Sequence, residues 1–242
     1  MDISIIIPVK NEQDNVAVLA DEIINALQSL PLPGEIIFVD DGSTDATMER
    51  LKAVKQRYPD KLRIVRHQQN CGQSAALYTG VRYAKGRWIV TLDGDGQNDP
   101  ADIPKLVGRM QQEKMVNPGT LVTGYRRNRK DSWIRRISSR IANGVRGNML
   151  KDHTPDTGCG LKMISRDYFL QLPFFDHMHR FLPALVIRQG GQVVSVDVNH
   201  RPRLRGTSKY GINNRLWVGI VDLFGMMWLI RRGKRPVISE IE

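Results

Sequence analysis

Apolar positions along the first half of the chain fall into two alternating rhythms. Short runs dense in Ile and Val predict strands at residues 3–9 (ISIIIPV), 35–40 (EIIFVD), 62–67 (LRIVRH), 88–93 (WIVTLD) and 120–124 (TLVTG). Between them, residues 15–30, 45–58, 74–84 and 101–112 carry apolar side chains at helical spacing. Strands with almost no polar alternation are buried on both faces, which predicts an α/β fold: a mostly parallel sheet with helices on either side. Turn chemistry agrees. Pro31-Leu32-Pro33-Gly34 stops the first helix, and Asp41-Gly42-Ser43-Thr44 offers N-cap oxygens to the second.

In an open α/β sheet, ligands bind outside the carboxyl ends of the strands. The first strand ends in Pro8-Val9-Lys10-Asn11-Glu12 and the second in Asp40-Asp41-Gly42-Ser43. The fourth ends in Asp93-Gly94-Asp95-Gly96-Gln97 and the fifth in Gly124-Tyr125-Arg126-Arg127. Acids crowd one edge and arginines follow. A dinucleotide site is excluded because the first turn has no GxGxxG to admit a pyrophosphate. There is no GxxxxGK[ST] and no HExxH, and His177 and His179 at i, i+2 do not share a helix face.

Charge sharpens this picture. The net charge is +11. Residues 126–151 hold nine Lys/Arg against Asp131 alone, and residues 201–236 hold nine against Asp222 alone. Each stretch carries +8, so the rest of the chain nets to −5. Two such patches suit phosphate or an anionic leaflet. Nucleic acid is set aside, because no recognised motif or aromatic-interleaved basic surface accompanies the charge. The two cysteines, Cys71 and Cys159, lack framework spacing and read as reduced thiols of a cytosolic protein. No basic, apolar leader opens the chain.

Residues 93, 95 and 97 leave a strand, where a side-chain period of two points all three the same way. Three hard oxygen donors on one side suit Mg²⁺ or Mn²⁺. The ordered set 6–12 (IIPVKNE), 39–45 (VDDGSTD), 70–73 (NCGQ), 93–100 (DGDGQNDP) and 205–210 (RGTSKY) resembles family 2 glycosyltransferases of the GT-A fold, over about residues 3–235. The DxDxQxxP form is similar to the polyprenyl-phosphate transferases of that family, the dolichyl-phosphate mannose synthase type.

That resemblance implies roles. Pro8, Asn11 and Glu12 would line the nucleoside pocket and Asp41 would meet the base. Asp93 would sit beside the donor sugar, with Asp95 and Gln97 holding the metal. Arg205, Ser208 and Lys209 would close over the pyrophosphate. Arg126 and one of Arg135, Arg136 or Arg140 would receive the lipid phosphate. Asp156 would position the acceptor, or act as base if the acceptor were a sugar or protein hydroxyl. The donor would be GDP-mannose or a UDP-sugar, the acceptor dolichyl or undecaprenyl phosphate, and transfer a single inverting displacement.

Residues 1–210 read as the catalytic domain and 211–242 as an amphipathic, basic C-terminal segment. Residues 216–230 (LWVGIVDLFGMMWLI), as a helix of roughly 22 Å, are too short to cross a hydrocarbon core of about 30 Å. Asp222 near the middle opposes spanning further. With Trp217 and Trp228 near its ends and basic residues behind, the segment predicts a helix lying in the membrane interface, or else one docked on the sheet. Many relatives of this type carry transmembrane helices beyond this point. Their absence here predicts a peripheral protein, or an anchor supplied by a partner.

Overall fold

The computed structural model describes residues 2–113, 119–127, 147, 149–152, 154–202 and 212–234; side chains of 113 and 212–217 are outside that description. Seven strands form one sheet: β1 (Ile3–Val9), β2 (Gly34–Asp41), β3 (Leu62–His67), β4 (Trp88–Thr91), β5 (Thr120–Tyr125), β6 (Lys162–Ser165) and β7 (Gln192–Asp197). Their order is β3-β2-β1-β4-β6-β5-β7. Pairing is parallel throughout except at β6, which runs antiparallel to both β4 and β5.

Helices among the described residues include α1 (Val16–Gln28), α2 (Thr47–Arg57), α3 (Gln73–Tyr83), α4 (Ile103–Glu113), α5 (Arg166–Leu170), α6 (Leu182–Arg188) and α7 (Ile212–Arg231). Both faces of the sheet are covered, as its near-continuous apolar strands require. Ile3, Ile5 and Ile7 of β1 share a buried cluster with Leu19 and Ile23 of α1, Leu51 of α2 and Leu106 of α4. Ile6 points the other way, to a cluster with Leu77 and Val81 of α3, Leu185 of α6 and Met226 of α7. The pleat of one strand thus feeds two cores.

Four details differ from the sequence expectation. First, β4 stops at Thr91, because the chain turns over 94–96 with Gly96 at φ +74°. Residues 93–97 therefore form a turn, and a strand period does not set their directions. Second, the helix expected over 101–112 is a 3-10 turn, Pro100–Asp102, running into α4; Asp99 caps it by accepting from the Ala101 amide at 3.0 Å. Third, the oxygens of Asp41, Ser43 and Thr44 do not cap α2. Asp45 accepts from the Thr47 amide at 3.0 Å instead, and the Ser43 hydroxyl accepts from the Asn11 amide at 2.8 Å.

Fourth, α7 is longer than residues 216–230. Its 20 residues extend about 30 Å. Even so, no helix among the described residues is long and apolar enough to cross a membrane. It lies on the protein through buried Met226, with Leu223, Met227 and Ile230 packed beside it. Its opposite face presents Val221, Phe224 and Trp228 to solvent at 68%, 62% and 62% exposure. The helix is docked on the protein, as one of the two expectations had it, and it also carries an open apolar stripe. The Trp217 side chain lies outside the described residues.

Candidate functional site

The site is assembled from loops at the carboxyl ends of β1, β2 and β4. The first two are stitched together. Besides the Asn11–Ser43 bond, Thr44 donates its amide to the Asn11 side chain at 2.7 Å and Glu12 donates its amide to the Thr47 hydroxyl at 2.8 Å. Asn11 takes φ +52°, a conformation Asn tolerates better than most residues. The Glu12 carboxylate accepts from Asn15 at 2.6 Å. Pro8, the next-to-last residue of β1, pairs with Val39 of β2.

Asp41 is 4% exposed and turned toward the next loop. Its oxygens accept from the amides of Cys71 and Gly72, each at 2.8 Å, and one lies 2.8 Å from His67 Nδ1. His67 Nε2 lies 3.0 Å from the Thr79 hydroxyl. Asp41, His67 and Cys71 are close enough to suggest a metal site, but both imidazole nitrogens and both carboxylate oxygens are engaged within the protein. Asp41 thereby fixes the start of α3, whose first residue, Gln73, donates to the Asp93 carboxylate at 2.8 Å.

Asp93 stands at the centre. Burial, with Asp95 adding like charge, pushes its carboxyl group up to about 6, against the opposing pull of Lys162, Arg126 and Gln73. It fits only because residue 160 is glycine: a Cβ there would overlap the Asp93 carboxylate. The loop beyond is set by its own turn. Asp95 accepts from the Gln97 amide at 3.0 Å, and Asn98 accepts from the Asp93 amide at 3.2 Å. The segment after β7 clamps it from outside. Arg201 donates its amide to the Gln97 carbonyl at 3.0 Å, and its guanidinium bridges Asp99 at 2.6 Å and Glu22 at 2.8 Å.

Arg126 and Asp156 face each other as a buried fork. Nε and Nη2 donate to the two carboxylate oxygens at 2.7 and 2.8 Å, with side chains 9% and 7% exposed. Burial alone would lower the Arg126 pKa, but the Asp156 bonds and charge raise it, so the guanidinium stays charged. Its Nη1 has no hydrogen-bond partner among the described residues. Lys162, 4% exposed, reaches back from β6 to the carbonyls of Thr157 and Cys159, holding the loop that carries Asp156. Burial pulls its pKa down while Asp93 and Asp156 push it up.

A narrow cavity of about 90 Å³ opens beside Asp93, with Gln73, Gly160, Lys162, His179 and Arg180 in its wall. The His179 ring lies 2.8 Å from the Ser74 hydroxyl, and burial lowers its pKa to about 3. Sequence reasoning missed Lys162, His179 and Arg180. Lys162 left a signal, a lone cation in the apolar run Leu161-Lys162-Met163-Ile164. His177 and His179 drew notice only for not sharing a helix face.

The structure brings Asp93, Asp95, Arg126 and Asp156 together, with Asn11, Glu12 and Asp41 on the neighbouring strand ends. Arg135, Arg136, Arg140, Arg205, Ser208 and Lys209 lie outside the described residues.

Residues 4–172 match the profile of Glycosyl transferase family 2. The chain belongs to that family. Among its relatives, the dodecaprenyl-phosphate galacturonate synthase of Rhizobium johnstonii is 38% identical over 239 residues, covering 98% of this chain and 69% of that protein. The undecaprenyl-phosphate 4-deoxy-4-formamido-L-arabinose transferase of Edwardsiella ictaluri is 35% identical over 210 residues, covering 87% and 63%. The chain therefore spans about two thirds of the length of these relatives. The family 2 fold is shared with glucosyl-3-phosphoglycerate synthase from Mycobacterium tuberculosis, solved with Mg²⁺ and uridine diphosphate. The TM-score is 0.68 at 20% identity, covering 98% of this chain and 80% of that one. The α/β sheet, with one antiparallel strand among the described residues, is the GT-A fold.

Asp95, one of the two expected ligands, fits a divalent cation: it adds like charge to the Asp93 carboxylate that burial already raises, and an ion held at Asp95 would relieve that conflict.

Proposed function

We propose that this family 2 glycosyltransferase moves a sugar from a nucleotide diphosphate to a polyprenyl phosphate, inverting the anomeric centre, at the cytoplasmic face of a membrane. The two relatives named above act, by their names, on dodecaprenyl and undecaprenyl phosphate. The observation that carries the acceptor class is the Arg126–Asp156 fork. A hydroxyl acceptor needs a base to take its proton, and both oxygens of Asp156 already accept from Arg126. A phosphomonoester is ionised near neutral pH and needs no base. It needs charge to receive it, and the Arg126 guanidinium supplies that.

The remaining assignments follow the strand ends. Asn11, Glu12 and Pro8 line the nucleoside pocket; Asp41 reaches the base with its carboxylate or through the 71–72 loop it holds. Arg205, Ser208 and Lys209 cover the pyrophosphate, and one of Arg135, Arg136 or Arg140 joins Arg126. Asp95 and Gln97 would hold Mg²⁺ or Mn²⁺, which when bound stabilises the negative charge of the departing diphosphate. Lys162 and Gly160 keep Asp93 in place beside the sugar. The exposed stripe on α7, with the basic stretches, brings the protein to an anionic surface, directly or alongside a membrane-anchored partner.

The test is a panel of radiolabelled GDP- and UDP-sugars offered with dolichyl or undecaprenyl phosphate in detergent. A product extracted as a lipid-linked monosaccharide is expected. Label passing instead to a soluble sugar or protein hydroxyl would overturn the acceptor assignment and turn Asp156 into the base.

A further inference from the structure

A second cavity, about 600 Å³, lies between α6 and the end of α7, a size typical of ligand sites. Its walls include apolar Leu150, Ile187, Met227 and Ile230, together with three cations, Lys151, Arg188 and Arg231, and no acid. It shares no lining residue with the cavity beside Asp93. Lys151 and Arg231 are exposed and have no carboxylate partner among the described residues. Arg188 donates Nε to the Leu229 carbonyl at 3.0 Å, tying α6 to the last turn of α7. At about 100° per residue, Met227 and Ile230 lie round one flank of α7 from Phe224, with Ile220, 36% exposed, between them. Apolar surface thus continues from the open stripe into the cavity.

We infer that this cavity binds a diacyl anionic phospholipid of the surrounding leaflet, one acyl chain entering between α6 and α7 while the headgroup meets Lys151, Arg188 and Arg231. The inference rests on the membrane location proposed above. The cations select the occupant. A polyprenyl chain whose phosphate sits at Arg126 brings no second anion to this rim, and a neutral lipid brings none at all. An anionic phospholipid carries its charge where its chain enters. Bound there, it braces α6, whose first residue, Leu182, lines the cavity beside Asp93.

The full chain, bound to vesicles of mixed neutral and anionic phospholipid, is released with mild detergent in the absence of sugar nucleotide, and lipid retained per protein is counted by native mass spectrometry. One anionic phospholipid per chain is expected, in preference to neutral lipid. Lys151→Asn combined with Arg231→Gln should lower its retention about 30-fold; Asn suits the positive φ at residue 151. Ile187→Trp, which fills the cavity, should abolish retention, and because both charged positions are exposed the first variant keeps the fold if the second does not. Added polyprenyl phosphate should leave the phospholipid in place. One-for-one displacement by polyprenyl phosphate would make the cavity the acceptor's tail site and overturn the inference. Equal retention of neutral lipid, retention untouched by the charge variant, or no retained lipid would overturn it too. No glycosyl transfer enters the measurement, so its failure and that of the proposed reaction are distinguishable.

Discussion

Replacing Arg126 with Met tests the site most directly, because the fork it forms with Asp156 is both buried and bidentate. The bonds of 2.7 and 2.8 Å join side chains only 9% and 7% exposed. Removing one partner leaves Asp156 ionised in a poorly solvated place, at a cost of about 3–5 kcal/mol. Against a typical fold stability of about 5–15 kcal/mol that is a large loss. For a chain of this size it corresponds to a fall of roughly 10 °C in thermal midpoint, read by calorimetry. The double variant Arg126→Met/Asp156→Leu removes both charges and should recover much of that stability, while transfer stays down by about 10²-fold or more. Binding of nucleotide alone should be unchanged in both.

The outcomes separate the readings of Asp156. If Arg126→Met matches the natural protein in stability and in KM for the lipid, the fork neither holds the loop nor receives the acceptor. If Asp156→Asn keeps full stability but removes the rising limb of the pH–rate profile, Asp156 is a base and the acceptor is a hydroxyl.

Chelation should abolish transfer and Mg²⁺ or Mn²⁺ restore it, and either ion should raise the thermal midpoint of the natural protein but not of Asp95→Ala. Gly160→Ala should displace the Asp93 carboxylate and lower kcat sharply with the fold intact by circular dichroism. His179 should make the protein acid-sensitive. Its folded pKa of about 3 lies below the free value of 6.5, so the unfolded chain takes up a proton first and stability falls as pH drops through that window. By pH 5 the loss is about 2 kcal/mol, and His179→Gln should remove it in urea titrations. Replacing Phe224 and Trp228 with Ser should weaken sedimentation with anionic liposomes without unfolding the protein, since both side chains are exposed; unchanged sedimentation would refute the stripe.

Much of the catalytic half was legible because its chemistry is local. Ile3–Val9 begins and ends where its apolar run does, since a strand buried on both faces has no polar position to blur its ends. The Asp93–Gln97 segment was recognisable as a site but not as a shape. Its geometry comes from Gly96 in the left-handed region, from Asn98, and from Arg201 about a hundred residues away, and no spacing rule contains that contact. The second half resisted for a related reason. β6 has only four residues, and Lys162 breaks the apolar pattern of the strand that carries it. The cation that obscures the strand is the one that secures the Asp156 loop.

Helix α7 shows why hydrophobic content alone could not decide its fate. A helix apolar on all sides reads as either membrane or core, and a charge at its centre argues against crossing lipid. Within the fold Asp222 has a specific answer: its carboxylate lies 3.0 Å from His177 Nδ1, with side chains 17% and 29% exposed. His177 belongs to the same short segment as His179 and Arg180, which line the cavity beside Asp93. The same Asp222 therefore stands beside the segment that shapes the reaction site. One face is committed to the protein through Met226, and Val221, Phe224 and Trp228 remain on the other. A helix divided in this way suits the membrane setting proposed above, because its open stripe and its protein-facing side belong to one element, and its Asp222 stands beside the segment that carries His179 and Arg180.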